Sequence, residues 1–190
     1  MRIVGGSHRG RPLLAPPEQT TRPTTDRVRE ALFNILLHAP SLFSEAGRSR
    51  LQDAIVIDAF AGSGALGFEA LSRGARHAYL FEIDPQARRI IQRNAENLKL
   101  ADRITLRATD ARQPGKAMPP ADMVFLDPPY RSGLGGPVLL QLDQAGWLKP
   151  DALAIVETDA KGSFDAPDGF DLLEDRQQGP ARLTFLRKKL

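Results

Sequence analysis

Ala54-Ile55-Val56-Ile57-Asp58-Ala59-Phe60-Ala61-Gly62-Ser63-Gly64-Ala65-Leu66-Gly67 is the stretch that decides the fold. Its first four residues form an unbroken apolar run, as in a parallel strand buried on both faces. Gly62, Gly64 and Gly67 then spell G-x-G-x-x-G, a spacing that turns a strand sharply into a helix. The helix is predicted over 65–73, with Gly74 as its C-cap. The alternation continues downstream. Residues 78–81 read as a second strand. Asp84-Pro85 opens a helix to about Leu98, with Asp84 as cap and Pro85 in the first turn, where a missing N–H costs nothing. Residues 104–108 and 123–126 are the third and fourth strands, and a helix over 137–146 leads to the fifth, 152–156. Two further strands, near 170–175 and 182–187, have no helix between them and are expected to pair as an antiparallel hairpin. The expected class is therefore α/β, with a mostly parallel, doubly wound, Rossmann-like sheet. In such sheets ligands bind beyond the carboxyl ends of the strands.

The acids fall at those ends. Asp58 closes strand one, Glu82 strand two, and Asp110 follows strand three. The glycine loop alone would suit a dinucleotide equally well. Asp58 argues against one, because an acid at the mouth of the loop repels a pyrophosphate. It welcomes S-adenosylmethionine, which carries a sulfonium and an ammonium. Glu82 can accept from both ribose hydroxyls and Asp110 from an adenine amino group. With Gly62, Gly64 and the neighbouring Phe60, Ile83 and Ala111, these acids make the candidate cofactor set.

Strand four ends in Asp127-Pro128-Pro129-Tyr130. The two prolines stiffen the backbone and remove two donors. They leave the carbonyls of Asp127 and Pro128 as a rigid acceptor corner. An exocyclic amine on a nucleobase has two hydrogens to place there, one on the Asp127 carboxylate and one on a backbone carbonyl. That geometry aims the nitrogen lone pair at an electrophilic methyl, and in-line transfer rewards positioning. Tyr130 offers a ring on which a base turned out of its stack could lie. Asp127, Pro128, Pro129 and Tyr130 are the candidate catalytic residues.

Net charge is modest over the 190 residues, but its distribution is uneven. Residues 1–29 hold six arginines against Glu18 and Asp26, and Arg187, Lys188 and Lys189 cluster just before the terminal Leu190. A basic head on a near-neutral body suggests a polyanionic partner. Arg9, Arg11, Arg22 and Arg27, with Tyr130, are the candidate substrate contacts. The head is expected to form two short strands, 2–4 and 11–14, around a glycine-rich turn. Pro16-Pro17 ends it, and a helix capped by Thr24 or Thr25 follows. Residues 38–50 read as a polar connector. This gives a basic hairpin-and-helix extension at 1–50 and a catalytic domain at 51–190. With no cysteine there is neither a disulfide nor a thiolate metal site, and His8, His38 and His77 lack metal-like companions. No apolar run is long enough to span a membrane and no signal core opens the chain. A cytoplasmic monomer without a metal is the expectation.

With these residues in place, the chain resembles the RsmD-type bacterial small-subunit rRNA guanine-N2 methyltransferases over nearly its whole length. The specific part is Ile3-Val4-Gly5-Gly6, Arg9-Gly10-Arg11 and Arg22-Pro23-Thr24-Thr25-Asp26-Arg27-Val28-Arg29-Glu30. The motifs at 58–64 and 127–130 are shared with wider amine methyltransferases. The resemblance implies a seven-stranded class I methyltransferase fold with an N-terminal extension. It implies methylation of the guanine conventionally numbered 966 in 16S rRNA, within the assembling or assembled small subunit. The residues themselves do not separate guanine from adenine, nor a base amine from a protein glutamine.

Overall fold

The computed structural model describes residues 1–16, 26–43, 47, 49–116, 118–129 and 132–190. The elements are α1 (Asp26–His38), β1 (Ile55–Asp58), α2 (Ala65–Ser72), β2 (His77–Phe81), α3 (Pro85–Leu98), β3 (Ile104–Arg107), β4 (Ala121–Leu126), α4 (Gly135–Gln144), β5 (Leu148–Asp159), β6 (Phe170–Gln178) and β7 (Ala181–Lys188). They form one seven-stranded sheet in the order β3-β2-β1-β4-β5-β7-β6. The first five strands are parallel, and β7 runs antiparallel to both β5 and β6. The α/β class, the mostly parallel sheet and the C-terminal hairpin are as the sequence predicts.

Strand order determines where a ligand can bind. The chain steps outward from β1 to β2 to β3, then returns to place β4 on the other side of β1. Connections therefore leave β1 and β4 in opposite directions and open a crevice between their carboxyl ends. Asp58 lies opposite Phe125 in the β1–β4 register, two residues before Asp127.

Alternation along β1 divides the core. Val56 faces one cluster, with α1, α2, α3 and the head, while Ile55 and Ile57 face the other, with α4 and Trp147. Asp84 caps α3 as predicted, accepting from the N–H groups of Gln86 and Ala87 at 3.3 and 2.8 Å.

The head departs from expectation. In place of two strands there is a single antiparallel bridge, Arg2 to Pro12, and a short 3₁₀ turn at Gly6–His8. Pro12 has no N–H, so the pairing is confined to Ile3 N–H to Arg11 O (2.9 Å), Gly10 N–H to Ile3 O (2.8 Å) and Leu13 N–H to Met1 O (3.0 Å). Tertiary contacts hold this piece. Ile3 and Leu13 enter the core. Ser72 Oγ–H donates to Gly5 O at 2.6 Å, and a Cβ on Gly6 would lie 1.9 Å from the Ser72 carbonyl. His8 bonds the Leu98 carbonyl at 3.1 Å, so it is an anchor to α3. The connector is also less polar than it reads, because Leu42 is buried in a second 3₁₀ turn.

Two charge expectations change as well. Arg29 is fully buried between Asp26 and Glu69 and is not part of the basic surface. Arg187, Lys188 and Lys189 each meet an acid, Asp151, Asp143 and Asp171 respectively. Among the described residues no helix is long and apolar enough to cross a membrane, and no cluster of His, Asp or Glu side chains is placed to hold a metal ion.

Candidate active site

Four acids stand at the carboxyl ends of four adjacent strands. Across the sheet they run Asp110, Glu82, Asp58, Asp127, following the strand order β3-β2-β1-β4. All four line one cleft of about 330 Å³, together with Phe60, Gly62, Ile83, Ala111, Pro128 and Pro129.

Asp58 is the most deeply placed, at 1% exposure. Its Oδ2 accepts from Gly67 N–H at 3.1 Å, while the buried Oδ1 meets no donor at hydrogen-bonding geometry among the described residues. Burial pushes its carboxyl up to about 7 from 3.8. The Gly67 amide opposes this, the charges of Asp127 and Glu82 add to it, and the Phe60 amide opposes it weakly. A buried acceptor without a donor, beside two further acids, is an arrangement that a cation completes. It fits an ammonium and a sulfonium and disfavours a pyrophosphate.

Glu82 is held by the backbone. Gly62 N–H donates to its Oε2 at 2.7 Å and Asp84 N–H to its Oε1 at 2.8 Å. Each oxygen keeps a lone pair for a ribose hydroxyl. The Gly62 amide, which a phosphate would need, is thereby engaged. Asp110 is clamped by Arg112, whose Nε, Nη2 and backbone N–H donate at 2.9, 2.6 and 2.8 Å. These bonds hold its carboxyl below the usual range. Oδ1 carries only the backbone bond and can still accept from an adenine amine. Ile83 is 63% exposed on the cleft lip, and Ala111 is buried behind it.

The glycines divide their tasks. Gly62 faces the cleft and Gly64 does not. Gly64 has φ +79° and begins α2, and a Cβ there would lie 2.6 Å from the Phe68 ring. Gly67 packs α2 onto β2, since a Cβ would lie 2.4 Å from Leu80. Arg9, Arg11 and Arg27 are exposed and lie away from the cleft lining. Arg22 and Tyr130 lie outside the described residues, as do Thr24, Thr25 and Pro17.

Three features were missed at the sequence level. Met1 lines the cleft and accepts a long bond from Ser63 Oγ–H at 3.5 Å, and nothing local signals this. Arg112 follows Asp110 by two residues, a spacing that could have suggested the clamp. Asn94 is buried on the apolar face of α3, and a polar residue at a core position of a helical repeat was a readable signal.

The family model described as conserved hypothetical protein 95 matches residues 1–187. The chain is 38% identical over 190 residues to the ribosomal RNA small subunit methyltransferase D of Escherichia coli K12, covering all of this chain and 90% of that protein. The solved structure of the yhhF protein from Escherichia coli superposes with a TM-score of 0.82 at 35% identity, covering 100% and 98% of the two chains. An RNA methyltransferase from Salinibacter ruber, solved in complex with S-adenosyl-L-homocysteine, shares the fold at a TM-score of 0.62 and 16% identity, over 88% and 94%. With the glycine loop, the row of acids and the Asp-Pro-Pro corner in one crevice, and a match that runs along the whole chain, this protein belongs to the conserved hypothetical protein 95 (RsmD) family.

Proposed function

We propose that the protein transfers a methyl group from S-adenosylmethionine to the exocyclic 2-amino group of a guanine in 16S rRNA, the base numbered 966, on the small ribosomal subunit. The observation that carries the cofactor is the buried Asp58 oxygen that has no donor among the described residues, beside Glu82 and Asp127. The RNA substrate is supported by the name of the 38% identical relative and by the exposed arginines of the head. Guanine, its N2 and the ribosomal context rest on the family resemblance.

S-adenosylmethionine supplies an electrophilic methyl on a sulfonium. Asp58 is placed to meet the ammonium, Glu82 the ribose hydroxyls and Asp110 the adenine amine. Asp127 and the carbonyls of Asp127 and Pro128 hold the two hydrogens of the substrate amine. A base amine is a weak nucleophile because its lone pair is conjugated to the ring. Acceptors that strengthen as the nitrogen gains positive charge stabilise the transition state over the ground state. With S-adenosylmethionine bound, the amine nitrogen held at this corner would take the methyl as its carbon–sulfur bond breaks, releasing neutral S-adenosylhomocysteine, and the proton shed by the nitrogen would pass to water. Tyr130 is proposed to stack on the base, and Arg9, Arg11, Arg22 and Arg27 to hold phosphates. Residues 1–50 act as the RNA-facing extension and 51–190 as the catalytic domain of a monomer, and a ribosomal substrate places the activity in the cytoplasm.

The deciding experiment is methyl transfer from labelled S-adenosylmethionine to small subunits lacking the guanine mark, with the product nucleoside identified by mass spectrometry. N2-methylguanosine is expected. Another methylated base would overturn the substrate, and transfer to protein would overturn the RNA reading. Asp127→Ala should lower kcat by roughly 10²–10³-fold, the range for removing one transition-state hydrogen-bond partner, while S-adenosylhomocysteine still binds.

A further inference from the structure

Asn94 is the polar exception on the buried face of α3. Ala87, Ile91, Ala95 and Leu98 share that face, and Asn94 itself is 0% exposed. Its amide is fully used. Oδ1 accepts from Leu14 N–H at 2.8 Å, and Nδ2 donates to the carbonyls of Leu14 and Ser63, both at 3.0 Å. Two carbonyls need two donors and one N–H needs an acceptor. A primary amide in this orientation satisfies all three.

The partners lie in different parts of the molecule. Leu14 belongs to the head, and Asn94 pairs both of its backbone groups as a neighbouring strand would. Ser63 is the middle residue of Gly62-Ser63-Gly64, the turn beneath the cleft. A second contact joins the same two regions. Ser63 Oγ–H donates to Met1 Sδ, and Leu13 N–H donates to Met1 O. Within the head, Ile3 N–H donates to Arg11 O, so the exposed arginine segment and the Leu14 anchor are one hydrogen-bonded piece.

We propose that Asn94 is a positioning residue that couples the arginine-bearing head to the cofactor turn, so that filling the cleft tightens the head and loading the head tightens the cleft. This rests on the reading of the cleft as the S-adenosylmethionine site. The turn has positive φ at both Gly62 (53°) and Gly64 (79°), a permissive backbone whose order depends on the partners it is given. Fixing the Ser63 carbonyl from α3 removes part of that freedom in advance. The same amide fixes Leu14, so order gained at one end is transmitted to the other. Linkage makes the effect reciprocal.

Hydrogen–deuterium exchange on the full chain tests this, with saturating S-adenosylhomocysteine as the probe. In the wild-type protein the ligand should slow exchange in residues 58–64. It should also slow the Leu14 and Ile3 amides by about fivefold or more, the lower end of typical coupling. Asn94→Ala should keep the slowing at 58–64 and lose it in the head. Slowing at 58–64 with an unchanged wild-type head overturns the coupling and leaves the cofactor reading standing. Head protection that survives Asn94→Ala overturns the role of Asn94. No slowing in either region overturns both readings. The wild-type measurement needs no substitution, so it remains decisive if Asn94→Ala folds poorly.

Discussion

Two buried carboxylates less than one α-helix apart are treated in opposite ways. Glu69, on α2, is 0% exposed and compensated on every side. Arg73 Nε meets its Oε1 at 2.7 Å, Val4 N–H donates to its Oε2 at 2.9 Å, and Arg29 Nε stands 3.7 Å from Oε2. Arg29 in turn donates to Asp26 and to the Arg2 carbonyl, and Arg73 lies over the Phe33 ring. This cluster pins the head and α1 onto α2. Asp58, at the end of β1, is 1% exposed with only backbone amides to oppose its burial, no ion-pair partner among the described residues, and three further acids in its cleft. A buried charge left in that state costs stability unless something supplies the missing partner. Glu69 is therefore a structural part, whereas Asp58 is the residue proposed as half of a binding interaction. Burial alone does not separate the two roles; the accounting of partners does.

The comparison can be broken most forcefully at Glu69. Glu69→Ala removes the carboxylate partner of Arg73, the acceptor of the Val4 amide and one of the two acids beside buried Arg29, and should destabilise the protein by about 3–5 kcal/mol, read as a large drop in Tm. The fraction that remains folded should bind S-adenosylhomocysteine nearly as before. Lost binding at an unchanged Tm would erase the distinction. Asp58→Asn should do the reverse. Binding should weaken by roughly 10–100-fold, the value of one hydrogen bond to a charged group, while the Tm of the free protein holds or rises.

A pH series sharpens the same contrast. The free Asp58 carboxyl titrates near 7, and a cationic ligand selects its ionised form. Affinity should therefore rise with pH, by about fivefold between pH 6 and 7, and level off above about pH 8. The sign for stability is opposite. With the folded value raised above the unfolded 3.8, the stability linked to Asp58 is fully present below about 4 and declines as pH climbs to about 7. Calorimetry across that window on wild type and Asp58→Asn reads both slopes, and Asp58→Asn should flatten the binding curve. The smallest expected effect lies at the surface. Arg9→Ala with Arg11→Ala should reduce the salt slope of RNA binding by roughly 1.5, since each lost phosphate contact contributes about 0.7–0.9. An unchanged slope would remove these two arginines from the RNA interface.

The parts legible in the sequence are those whose signal is local. The apolar run at 54–57 announced a buried strand because a parallel strand is covered on both faces. Gly62, Gly64 and Gly67 announced a strand-to-helix turn because only glycine tolerates the approach and the φ that such a turn needs. Asp84-Pro85 announced a helix start because the cap geometry involves residues two and three positions away. The acids at 58, 82, 110 and 127 were found by one rule, that each follows a strand. The strand order β3-β2-β1-β4 then brings them together along the sheet's carboxyl edge.

Other features were set by contacts between residues far apart in the chain. Arg29 read as one more surface arginine, and only the approach of Glu69, forty positions on, makes it a buried ion. The head read as a hairpin, but Pro12 limits its own pairing, and Ser72, Leu98 and Asn94 hold it instead. Met1 reaches the cleft because the head folds back onto the glycine loop. The sequence by itself thus determined the sheet, the turn and the acids that line the cleft, since period, turn chemistry and strand ends are properties of short segments. Which acid is compensated, which arginine is free to meet a phosphate, and how the head is joined to the cofactor turn were decided only by tertiary structure, because a buried charge or amide takes its role from the partners that packing delivers to it.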